Sequence, residues 1–168
     1  RVLDYKMTVH QKPIKFGWLM PQLRLTIKTD ESFNNIVNCV NNLLNITPID
    51  FIIPCCTAVE NARGTSLNSI GSYETHGLTN DGAHLESGLP VLLTSYVSTL
   101  SILKLMGIEN HGILGERTRP TASWYDAHYN PSNNGSSSVG VTEENCILAQ
   151  KCAIFAMKKP LEISTNIE

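Results

Sequence analysis

Three absences narrow the possibilities before any residue is read for chemistry. Nowhere in the 168 residues is there an apolar run of the roughly 20 residues that a bilayer-spanning helix needs, nor a signal-peptide pattern. There is no C-x-x-C. The five cysteines (39, 55, 56, 146 and 152) are odd in number and do not form a framework of pairs, so they are expected as reduced thiols, buried or half-buried. Nor is there a basic excess: a net charge of −2 argues against nucleic acid and against electrostatic attachment to an anionic membrane. What remains is an ordinary globular composition, 42% hydrophobic and 17% charged, in a chain long enough for one domain with its own core. The chain opens on Arg1 rather than Met, which leads us to expect a fragment or a processed product.

Taken in order, residues 1–8 alternate apolar positions weakly, as an edge strand or an entering loop would. Residues 14–20, bracketed by Pro13 and Pro21, read as a strand whose ends the prolines mark. Behind the capping types Thr29 and Asp30, the side chains of Phe33, Ile36, Val37, Val40, Leu43 and Leu44 share one face at helical spacing, which predicts a helix over 31–44. Residues 50–53 suit a second, buried strand. Strand, helix, strand implies a right-handed crossover and a parallel sheet. Residues 64–77, rich in Gly, Ser, Asn and Thr, are a surface loop. A helix is expected over 86–106, with Pro90 in its first turn and Gly107 as its stop. Thr142 then caps a helix over 143–158, with Leu148, Cys152 and Phe155 as its buried stripe, and 161–167 is a last strand or a tail.

The chemistry concentrates in Leu78-Thr79-Asn80-Asp81-Gly82-Ala83-His84-Leu85. Asp81 and His84 lie three positions apart on one short loop, so a carboxylate can orient the imidazole through Nδ1 and leave Nε2 as a general base. Against this stands a plain reading, because Asn-Asp-Gly is also a good turn tripeptide. His76 lies nearby, but three ligand types on one loop without a fourth make a poor metal site, and no metal or cofactor is expected. Cys55-Cys56 ends the second strand near this loop, with nothing evident to lower a thiol pKa.

Ile52-Ile53-Pro54-Cys55-Cys56-Thr57-Ala58-Val59-Glu60-Asn61-Ala62-Arg63, with the Asp81/His84 block downstream, resembles the C-terminal half of the SGNH (GDSL-type) hydrolases. In those enzymes an Asp-x-x-His block before the last helix supplies two members of a serine triad. More narrowly, the run looks like a family of SGNH-like proteins from gut Bacteroidetes and some of their phages. The resemblance covers residues 12–107. It implies an α/β fold, the parallel-sheet, flavodoxin-like three-layer sandwich of that superfamily. Residues 1–107 would be its C-terminal portion, 108–140 an inserted loop, and 141–168 a helix and tail packed on the same domain. It also implies a serine esterase or carbohydrate O-deacetylase with His84 as base and Asp81 as its orienter. The substrate would be an ester or acetylated glycan, met at a cell surface, outside the cell or on a virion.

Asn61 and Arg63, which come after the second strand on the side where such a site opens, are expected to contact substrate. The alternative for Arg63 is that it caps its helix or pairs with Glu60 on the surface. The insertion carries Arg117, Arg119, Trp124, Tyr125, His128 and Tyr129, which would stack on sugars or, as we favour, pack the segment onto its own domain.

The nucleophile is missing. No G-D-S, G-N-S or G-x-S-x-G occurs, and Ser66, Ser69 and Ser72 sit in a loop with no preset geometry. Either a preceding segment supplies the serine, or the chain is a non-catalytic binding or structural module, as a homo-oligomer or in a larger assembly such as a phage tail or receptor-binding protein.

Overall fold

Two short apolar runs pair in parallel: β1, Gly17–Leu19, lies beside β2, Phe51–Ile53, in the register Gly17 to Phe51, Trp18 to Ile52 and Leu19 to Ile53. They are seen in a computed structural model that describes residues 15–47, 49–108, 114–129, 138–164 and 166–167. The expected edge strand over 1–8, and Ile14 at the start of the first strand, lie outside the described residues. Gly17 has no side chain for a packing reason: a Cβ there would come within 2.3 Å of the Phe51 ring that lies across it.

A parallel pair needs a crossover, and α1, Ser32–Ile46, provides it. Phe33 and Val40 are buried, and Ile36 and Val37 pack beside them, against Met20, Leu23, Cys56 and Ile52. The apolar face does not stay covered to the end, since Leu44 and Ile46 are exposed. Ile53, one residue on from Ile52, joins a different and larger core built by α2, Cys55–Arg63, α3, Leu89–Leu105, and a last helix, Glu143–Lys158. Consecutive strand residues point to opposite sides. Helices therefore pack on both faces of β2, while β1 stays exposed, and the fold is mixed α/β and mostly helical.

Local chemistry explains the helix ends. Pro90 occupies the first turn of α3, where its missing N–H is harmless. At the far end Gly107 takes φ +75°, its N–H donates to the Lys104 carbonyl (3.0 Å), and the Ile108 N–H reaches back to Leu103 (2.9 Å). That is a Schellman stop. The Thr142 hydroxyl accepts from the Asn145 N–H (3.2 Å) and starts the last helix.

The buried stripe of that helix differs from the expected Leu148, Cys152 and Phe155. Its fully buried positions are Cys146, Ala149, Gln150, Cys152, Ala153, Ala156 and Met157, with Leu148 and Phe155 on the flanks. Five of these seven are Cys or Ala, small side chains that let α2 and α3 both approach this helix closely, while Gln150 and Met157 reach past the closest contacts.

Residues 114–129 are part of the same core. After a single 3-10 turn, Glu116–Thr118, comes α4, Ala122–Tyr129, so the final helix, Glu143–Lys158, is α5. Leu114 and Tyr125 are buried in the large core, Tyr96 Oη donates to the Thr118 carbonyl (2.6 Å), and Gln150 of α5 binds Thr118 Oγ1 (2.9 Å) and Arg119 Nε (3.1 Å). Trp124 stacks on His128 at 4.2 Å while remaining 46% exposed. Residues 161–164 and 166–167 form a tail: the Ser164 N–H docks on Asn61 and Ile167 is buried. Among the described residues, no helix is long and apolar enough to cross a membrane.

Candidate active site

The loop that carries Asp81 is held in shape by left-handed backbone. His76, Gly77 and Leu78 have φ of +56°, +57° and +67°, and Gly82 has +81°. Such a conformation costs a non-glycine residue about 1–2 kcal/mol, so something must hold His76 and Leu78 there. Leu78 is fully buried in the large core, its N–H donates to Ile70 (2.7 Å) and its carbonyl accepts from Glu86 (2.9 Å). Glu86, 8% exposed, ties the two ends of the loop by accepting from the Ser72 hydroxyl (2.5 Å) and the Ser87 N–H (3.1 Å). Beyond Leu78 the chain doubles back: Thr79 and Leu85 form an antiparallel bridge, and the Asn80 N–H donates to the His84 carbonyl (3.1 Å).

Within that tight turn the Asp81 carboxylate takes three local bonds. Oδ1 accepts from the Ala83 N–H (2.8 Å) and the His84 N–H (2.7 Å), and Oδ2 lies 2.7 Å from His84 Nδ1. The His84 backbone amide first, then its imidazole and the Ala83 amide, hold the Asp81 carboxyl well below the usual carboxylate range. An ionised carboxylate accepts only, so Nδ1 carries a proton, and in the neutral ring Nε2 is then the nitrogen with the free lone pair. The turn tripeptide and the acid-histidine pair, posed as alternatives by the sequence, coexist: one oxygen serves the turn and the other the ring.

The turn is moored beside the carboxyl end of β1. The Leu25 N–H donates to the Gly82 carbonyl (2.6 Å), and Gln22 Nε2 reaches the Ala83 carbonyl (3.4 Å). Ligands of open α/β sheets bind at this end of the strands. The imidazole stands open to solvent. Its side chain is 74% exposed and that of Asp81 52%, and a cavity of about 480 Å³ lies elsewhere, between α3 and the 114–124 segment, lined by Leu92, Tyr96, Arg117 and Trp124 among others. Among the described residues no serine hydroxyl hydrogen-bonds His84; Ser72 is taken by Glu86 and Ser69 by the Ser66 carbonyl (2.8 Å).

Asn61 and Arg63 point inward. Asn61 is 1% exposed; its Oδ1 accepts from the Ser164 N–H (2.8 Å) and its Nδ2 donates to the Cys152 carbonyl (3.5 Å). The Arg63 side chain is 5% exposed, with Nη1 on Glu60 Oε1, Nη2 on the Leu23 carbonyl (3.0 Å) and Nε on the Gly77 carbonyl (3.1 Å). The polar atoms expected to meet substrate are thus bonded to internal partners. The physical reason is that α2 is buried along eight of its nine residues, so the chain leaving β2 enters the core instead of a cleft. The surface pairing of Arg63 with Glu60 is corrected likewise, for the pair is buried. Lys28 Nζ completes it, 2.5 Å from Glu60 Oε2.

Sequence reasoning missed Lys28, Gln22 and Glu86 as organisers of the loop. All three act across long sequence separations, and no local pattern marks them. His76 Nδ1 pairs with the Gly71 carbonyl (2.9 Å), and among the described residues no group of three potential metal ligands converges. Burial pushes the Cys55 thiol up to about 11 and the Cys56 thiol up to about 12, which makes both poor nucleophiles. Compared with models of known families, with curated proteins and with solved structures, the chain shows no match.

Proposed function

We propose that the Asp81–His84 pair is the acid-base half of a serine ester hydrolase of the SGNH type, acting on an ester or an acetylated glycan. The observation that carries this reading is the 2.7 Å bond from Asp81 Oδ2 to His84 Nδ1 on an imidazole left open to solvent beside the carboxyl end of β1. In this scheme Nε2 accepts the proton of a serine hydroxyl as its oxygen attacks the acyl carbon, then returns that proton to the departing alkoxide. Water repeats the sequence on the acyl-enzyme. The serine belongs to a segment outside residues 1–168, and the finer architecture, the three-layer sandwich, is completed by that segment.

The edge of the sheet supports such an addition. Phe16 and Met20 direct their carbonyls to β2 and the segment after it, so alternation turns the N–H and C=O groups of Gly17 and Leu19 to the opposite edge. No described strand pairs there, and Trp18 and Leu19 are 37% and 56% exposed. A parallel strand on that edge would bring its own carboxyl end toward His84.

The test is aryl acetate hydrolysis by the full-length protein. His84→Ala is expected to lower kcat by about 10²- to 10⁴-fold, the usual worth of a positioned acid-base group. Unchanged turnover overturns the assignment.

A second reading, a non-catalytic module in a larger assembly, is favoured by the lack of any described serine bonded to His84. It is separated from the first by the residues encoded before Arg1: a strand ending in Gly-x-Ser supports the hydrolase, and an unrelated fold or a start codon supports the module.

A further inference from the structure

The guanidinium of Arg63 spends all three nitrogens inside the protein rather than on a substrate, and the choice of partners is informative. Nη2 holds the Leu23 carbonyl, in the segment that leaves the carboxyl end of β1 and that two residues later offers the Leu25 N–H to Gly82. Nε holds the Gly77 carbonyl, the middle of the left-handed triplet that leads into the Asp81 turn. Nη1 is braced on Glu60, whose other oxygen binds Lys28, a residue of the same β1-exit segment. One planar fork thus fastens both strands of chain between which the Asp81–His84 turn hangs. The two would otherwise be joined by the Leu25–Gly82 bond, the long Gln22–Ala83 contact and local packing.

We propose that Arg63 is a positioning residue for His84: with Glu60 as its brace, it sets where the Asp81–His84 turn stands relative to the carboxyl end of β1. The orientation of the imidazole on Asp81 is a separate matter, closed locally by the two backbone amides on Oδ1. Arg63 governs the place of the pair, and Asp81 governs its geometry. The inference rests on the hydrolase reading only in giving the position a purpose.

Arg63→Lys separates positioning from general stability. A lysine keeps a charge against Glu60 but offers one compact ammonium, which does not reach Glu60, Leu23 and Gly77 together as a rigid fork does. The measurement is amide hydrogen exchange on the chain itself, with Leu25 as reporter because its N–H bonds Gly82 across the joint, and Cys152 and Ala153 of α5 as reference. In Arg63→Lys the protection of Leu25 is expected to fall by about tenfold or more, the ratio equivalent to about 1.4 kcal/mol, while the α5 amides keep theirs. The nitrogen and carbon shifts of the His84 ring are expected to stay those of the Nδ1–H tautomer. Leu25 protection that does not change overturns the proposal, and so does a fall shared equally by α5, which would make Arg63 a general support. Arg63→Ala also removes the counter-charge of buried Glu60 and is expected to lower α5 protection as well, so the lysine variant is the one that decides. Ester turnover is not the readout, so a negative result here leaves the hydrolase reading standing, and a failed hydrolase assay leaves this one.

Discussion

Two acid-base pairs in this chain have the same spacing and opposite surroundings. Glu60 and Arg63 are three residues apart on a helix, with side chains 3% and 5% exposed; Asp81 and His84 are three apart on a turn, 52% and 74% exposed. In the first, desolvation obliges every donor and acceptor to find a partner, and the partners are carbonyls of neighbouring segments. The pair becomes a fastening. In the second, water satisfies whatever the protein does not, so one ring nitrogen remains free for chemistry. Spacing brings two groups together, and burial decides whether their valences are used up.

The comparison breaks most visibly at Glu60. Glu60→Gln leaves the buried Arg63 guanidinium without its counter-charge, and removing one partner of a buried pair costs about 3–5 kcal/mol. Urea unfolding is expected to show that loss; a change within about 1 kcal/mol would mean that the pair is hydrated in solution. A smaller loss is expected from Asn61→Ala, which strands the Ser164 N–H and removes the long second contact on the helical Cys152 carbonyl. It should lower stability by about 1–3 kcal/mol, again by urea unfolding, and release the tail from Ser164 onward to proteolysis.

The smallest effect on stability belongs to the exposed pair. Asp81 has its carboxyl pKa depressed in the fold, so its contribution is present above the ordinary carboxylate value of about 3.9 and lost as pH falls through the lower folded value. The Asp81 carboxyl carbon shift should therefore show no protonation step centred near pH 4 and should take that step only below it. A transition centred near pH 4 would mean that Asp81 is not held by the Ala83 and His84 amides.

Much of the fold is legible in the sequence because it is local. The Schellman stop at Gly107, Pro90 in a first turn, the Thr142 cap and the 31–44 amphipathic face are each written within a few residues, and α1 runs only two residues past that face. The Asp81–His84 contact is legible for the same reason. The illegible part depends on long-range packing. No spacing rule says that α2 would be buried along almost its whole length, and that one fact gives Asn61 and Arg63 their internal partners. The α5 stripe escapes the usual rule because that rule looks for large apolar residues, whereas a helix squeezed by two others selects small ones.

Central to the chemistry is Asp81 orienting His84 so that Nε2 is an unprotonated base. Nitrogen-15 NMR of histidine-labelled protein, above the ordinary histidine pKa of about 6.5, measures this directly by reporting which ring nitrogen carries the proton. The expected result is an Nδ1–H tautomer for His84 that reverts toward the free-imidazole distribution in Asp81→Ala. A His84 ring that is chiefly Nε2–H in the unaltered protein, or one indifferent to Asp81→Ala, would contradict it.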